Sequence, residues 1–107
     1  MTKNLNIMTR KPIIYHPGKI LKEEFLIPAE ISSAQLAKDI NISSKIIREI
    51  IAEERDLNKD IATRLALYFS TAPTFWINLQ SNYDEEQVAK SLHKILKKEI
   101  HTLSYFR

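Results

Sequence analysis

A chain of 107 residues with 16 Lys and Arg against 13 Asp and Glu, a formal net charge of +3, holds one domain around one modest core. It has no Cys, which removes disulfides, thiolate metal ligands and a thiol nucleophile together and suits a reducing cytoplasm. The N-terminal stretch lacks an apolar run with a small-residue cleavage site, and no segment approaches the ~20 apolar residues of a membrane span, so the expected setting is cytoplasmic with no membrane partner.

Residues 1 to 14 are polar with scattered apolar positions and are expected to form an N-terminal arm. Lys3, Arg10 and Lys11 could reach a phosphate backbone, while Pro12 to Tyr15 reads as a short extended segment lying on the domain. Pro17 suits a first helical position, where its missing amide hydrogen costs nothing. Ile20, Leu21 and Phe25 give that helix a buried side, and Pro28 is expected to end it.

The stretch from Ser32 to Arg55 carries two short helical patterns separated only by Asn41-Ile42, the outline of a helix-turn-helix. Leu36, Ala37 and Ile40 share one face of the first pattern, and the Ser32 hydroxyl can accept from a first-turn amide. So tight a turn needs a left-handed residue. The single Gly lies elsewhere, and Asn41, the non-Gly residue that tolerates that conformation best, occupies the position. Ile42 is then free to point back between the helices. Ser43 is expected to cap the second pattern, which runs through Ile46, Ile47, Ile50 and Ile51 and leaves Ser44, Lys45, Arg48 and Glu49 on the other side. A plain helical hairpin with no ligand is the bland alternative.

Glu53 to Asp56 reads as a polar connection. Asn58 is a plausible cap for the next helix, with Asp60 near its positive end and Ile61, Ala62, Leu65, Ala66 and Phe69 as its core face. Another helix follows Pro73, with Phe75, Trp76, Leu79 and Tyr83 along one stripe and Ala72 as a poor cap. A last pattern begins at Asp84, where Asp84 and Gln87 resemble a capping box, and continues through Val88, Leu92, Ile95 and Leu96. The expected architecture is all-α, with five to six helices. Its divisions are the arm at 1–14, the helix-turn-helix domain at 15–83 and a C-terminal helix and tail at 84–107 that could dimerise.

At three places the sequence resembles the HigA family of antitoxins, also known as virulence-associated protein I or addiction-module antidote proteins. His16-Pro17-Gly18-Lys19-Ile20-Leu21-Lys22-Glu23-Glu24-Phe25-Leu26 is similar to the family's opening. The helix-turn-helix from Leu36-Ala37 through Ile50, with Arg55 and Ala62, Arg64-Leu65-Ala66, follows. Pro73-Thr74-Phe75-Trp76-Ile77-Asn78-Leu79-Gln80 with Tyr83-Asp84 completes the match, which covers roughly residues 15 to 84. Departures fall at Asn41, Glu54 and Ser70, where the family usually has Gly, and at Ser33, where it commonly has Gln. A carboxylate at Glu54 is repelled by a nearby phosphate. The resemblance implies a lambda-repressor-like helix-turn-helix domain, a double-stranded DNA operator, autorepression, dimerisation through the C-terminal part and a RelE-like ribonuclease toxin held inactive.

If the second helix of the motif enters the major groove, its first turn faces base edges. Ser43, Ser44 and Lys45 then lie closest, with Lys45 as base reader and Ile46 able to touch a thymine methyl. Arg48 could take a phosphate or a guanine, and Glu49 could accept from a cytosine amino group or pair with a cation. Ser33, at the start of the first helix, and Arg55 would contact the backbone. One helix reads only a few base pairs, so a homodimer on a palindromic operator is expected. Phe75, Trp76, Leu79, Tyr83, Val88 and Leu92 are its candidate interface, although these aromatics could instead complete the protomer core. The basic group Lys90, Lys94, Lys97, Lys98 and Arg107 reads equally as a solvated helix face.

Three rivals differ in class. A stand-alone repressor shares the fold but has no toxin, and a neighbouring reading frame for a small basic protein separates the two. A protein-interaction module that has lost DNA is suggested by Glu49 and Glu54. Catalysis needs a base held beside a nucleophile or phosphate, and His16, His93 and His101 are scattered over helix ends. No enzyme activity is therefore expected. No cofactor is implied, and no metal site is expected because His93 and His101 stand eight apart without a carboxylate pair.

Overall fold

The computed structural model describes residues 13–103, so Lys3, Arg10, Lys11 and Arg107 lie outside the described residues, as does most of the arm. Five helices and no strand occur among the described residues. We number them α1 (residues 17–29), α2 (Ser33–Ile40), α3 (Ser44–Ile51), α4 (Lys59–Phe69) and α5 (Pro73–Glu99).

Ile13 to His16 have no regular structure and lead into α1. His16 Nδ1 accepts from the Gly18 amide at 2.9 Å, and Pro17 takes the first helical position. From Leu21 to Leu26 the helix widens into π geometry, with the Ile27 amide bonded back to the Lys22 carbonyl. Pro28 follows directly: its ring would crowd the carbonyl four residues earlier in a regular helix, and the wider turn relieves that clash. The helix therefore runs through Pro28, contrary to expectation, and stops where Glu30 turns left-handed at φ 56°.

Ser32 Oγ caps α2 by accepting from the Gln35 amide at 3.0 Å. Asn41 sits at φ 59°, ψ 49°, and the Ile42 amide closes the turn on the Ala37 carbonyl at 2.9 Å. These are the left-handed residue and returning bond that a connection this short requires. Ile42 packs half-buried on the core. The expected side-chain cap at Ser43 is absent: Ser43 occupies the cap position, but its hydroxyl makes no bond to the helix. Asn58 Oδ1 caps α4 from the Ile61 amide at 2.8 Å.

Gly18 permits a close contact between α1 and α3. A Cβ there would lie 1.8 Å from the Ile50 carbonyl oxygen, so only hydrogen lets the start of α1 meet the end of α3. Leu21, Leu36, Ile47, Ile50, Leu65 and Trp76 are fully buried at the centre.

The chain from Pro73 to Glu99 is one helix, so no sixth helix starts at Asp84. No Gly or Pro interrupts positions 74 to 99, and Asp84, placed inside a turn, accepts from Gln80 Nε2 at 2.9 Å instead of capping. The first half of α5 packs against α4 and α1. Its second half leaves the body, giving the molecule extents of 59 × 35 × 20 Å.

Candidate nucleic-acid interface

The fixed turn at Asn41 and the buried Ile47 and Ile50 set the rotation of α3, and its polar side follows from that. Ser43, Lys45 and Arg48 are exposed, whereas Ser44 and Glu49 are half-buried. Ser44 Oγ accepts from an Arg48 guanidinium nitrogen at 3.1 Å, which steadies Arg48 along the helix. Among the described residues no carboxylate lies within ion-pair distance of Lys45 or Arg48. Ile46 packs half-buried on the core, leaving only its outer edge for a base methyl. Ser33, half-buried, is the first residue of α2.

Arg55 and Glu49 pair with each other. Arg55 Nε donates to Glu49 Oε1 at 2.8 Å, so of the two roles open to Glu49 in the sequence the protomer adopts the pairing with a cation. The loop that follows turns on Glu53, left-handed at φ 63°, while the Glu54 amide returns to the Glu49 carbonyl at 2.9 Å. Glu53 and Glu54 are both exposed. Helix α3 thus offers two unneutralised cations, Lys45 and Arg48, and the loop after it one oriented by a carboxylate.

Several positions that organise this site escape a reading by periodicity. Arg64 donates to the Ile40 carbonyl at 2.9 Å and to Asp60 at 2.8 Å, tying the end of α2 to α4. The Tyr68 hydroxyl donates to Asp39 Oδ2 at 2.6 Å, and Gln35 Nε2 donates to Asp39 Oδ1 at 2.7 Å. His16, at the start of α1, is 2% exposed, with its ring against Tyr83 at 4.9 Å and Nε2 3.9 Å from Asp56. Gln80 is also buried. Its signal was available, since it stands one turn after Trp76 on the same side of α5.

The six residues expected at a dimer interface do not form one surface. Trp76 is 0% exposed; its Nε1 donates to Thr71 Oγ1 at 2.9 Å and its ring meets Phe25, Phe69 and Phe75. It belongs to the protomer core, because a large apolar ring with one polar atom is best placed where that atom finds a partner. Leu79 and Tyr83 are half-buried, and Phe75 is exposed at its rim. Val88 and Leu92 stand free, 66% and 52% exposed, with Ile95 beside them. At 3.6 residues per turn Leu79 and Leu92 point roughly 140° apart around α5, so a flat partner cannot cover both.

Among the described residues no helix is long and apolar enough to cross a membrane, and no three His, Cys, Asp or Glu side chains gather as a metal site.

No family model matches the chain. Virulence-associated protein I of Dichelobacter nodosus is 40% identical over 84 residues, covering 76% of this chain and 78% of that protein. The HigA antitoxin of Pseudomonas aeruginosa, solved with the higBA promoter, is 40% identical with a TM-score of 0.74, covering 87% of this chain and 99% of that one. The chain belongs to the HigA family of antitoxins. An addiction-module antidote protein of the HigA family from Coxiella burnetii is 38% identical with a TM-score of 0.72, covering 88% and 100%. This is a family of antitoxins and helix-turn-helix regulators rather than enzymes. In this chain the helix after Pro73 packs on α4 and α1, and that packing buries Trp76.

Proposed function

We propose that the protein is an operator-binding antitoxin that represses its own operon as a homodimer and neutralises a RelE-like mRNA-cleaving toxin. The observation that carries the DNA reading is the exposed polar face of α3, where Lys45 and Arg48 face solvent with no carboxylate partner among the described residues. The HigA relative solved with promoter DNA supports the same assignment. In this reading α3 enters the major groove, Lys45 reads a base edge and Ser43 and Ser44 flank it. Arg48 contacts a guanine or a phosphate, and Arg55 and Ser33 contact the backbone. Glu49 serves by orienting Arg55. A dimer presents its two recognition helices about 34 Å apart, one helical turn of DNA.

Fluorescence anisotropy on the chain's own upstream DNA and on a random duplex, across a salt series, tests this. Operator affinity is expected to fall linearly on a log–log plot with salt, with a slope set by several phosphate contacts. Lys45→Ala should erase most of the preference for the operator, whereas Arg55→Ala should weaken both duplexes alike. No binding at low salt refutes the DNA reading. The toxin half is tested by co-purification with, and rescue of growth from, the product of the adjacent reading frame; its failure leaves a stand-alone repressor.

A further inference from the structure

Among the described residues His16 and Gln80 are the two polar side chains sealed into the core. A glutamine on the buried side of a helix is expensive unless every polar atom is engaged. Gln80 engages both ends. Its Oε1 accepts from the Leu57 amide at 2.7 Å, and its Nε2 donates to Asp84 at 2.9 Å and to Asp56 at 3.3 Å. Asp56 and Leu57 belong to the loop between α3 and α4, immediately after Arg55. At its other end Arg55 is tethered to α3 through Glu49 at 2.8 Å. The residue is therefore held between two anchors, one on the recognition helix and one on α5.

We propose that Gln80 is a positioning residue for DNA: from α5 it fixes the loop so that Arg55 is already ordered when it meets the phosphate backbone. This rests on the operator-binding reading above. Ordering the loop before contact removes an entropy cost that binding would otherwise carry. The same bonds link the helix whose far half stands free in solvent to the edge of the DNA surface.

The test is a double-mutant cycle on operator affinity, using Gln80→Met, close in size but unable to form these hydrogen bonds, in the wild-type and Arg55→Ala backgrounds. Gln80→Met is expected to weaken operator binding about five- to tenfold and to lower the salt slope by about one ion. It should leave the ratio of operator to random-duplex affinity unchanged. In the Arg55→Ala background it should add nothing. The Leu57 amide should lose hydrogen-exchange protection while the α3 amides keep theirs. Asp84→Ala removes one acceptor that holds the Gln80 amide while leaving Gln80 in place, and should fall between; if Gln80→Met does not fold, Asp84→Ala in the two backgrounds gives the same comparison. Equal losses in both backgrounds, or undiminished affinity, would overturn the role of Gln80. Absence of operator binding by the wild-type protein would remove the operator reading as well.

Discussion

Among the described residues, four other than Gly hold a left-handed backbone: Glu30, Asn41, Glu53 and Ser70. Asn is the mildest of these, and the others carry the clash between Cβ and the neighbouring carbonyl. Glu53→Gly and Ser70→Gly should each raise unfolding free energy by about 1 kcal/mol in urea titrations, with Asn41→Gly gaining less. No change at Glu53 would mean its turn is strain-free. Glu49 makes a second test at this scale. Glu49→Gln keeps an acceptor for Arg55 but removes a negative charge from the surface offered to DNA. Operator affinity should rise about two- to fivefold at low salt, with the gain shrinking as salt is added. A fall in affinity confined to one operator position would instead make Glu49 a base reader.

Among the helices, the informative contact is α1 against α3. Gly18 has no special backbone angle, so its value is space: the Ile50 carbonyl occupies the place of a side chain, and a backbone oxygen cannot swing aside. Gly18→Ala should cost about 2–3 kcal/mol by forcing the two helices apart, read in thermal or urea unfolding. Because α3 moves with that contact, operator binding should weaken even at temperatures where the variant remains folded. The capping pattern was legible in the sequence at Ser32, Asn58 and Pro17, where the residue type itself supplies the bond or tolerates its lack. It failed at Ser43, because a hydroxyl can cap only if its rotamer turns toward the helix, and it failed at Asp84, where a helix already under way had no end to cap.

For the whole molecule the free half of α5 is the candidate contact of the proposed homodimer. Val88, Leu92 and Ile95 form an exposed apolar stripe on a helix that has left the body, whereas Trp76 is already spent in the protomer. Leu92→Glu is expected to leave the unfolding transition of the protomer in place while reducing the mass seen by sedimentation to that of one chain. Its affinity for a full palindrome should drop far more than its affinity for a half-site, since two tethered contacts reinforce each other. An unchanged mass would move the dimer contact to the Phe75 and Leu79 side.

What the amino-acid order alone determined was local: helical spacing, the breakers at either end, the Asn41 turn and the choice of cations that α3 holds out. Each depends on residues within a few positions of one another, where backbone geometry leaves few options. The tertiary structure alone decided which polar groups meet across the chain. Gln80 holding the Leu57 amide, His16 going under Tyr83 and the allotment of Trp76 to the core are choices among chemically equivalent partners. Only the packing of α5 onto α4 and α1 brings one of each set within reach.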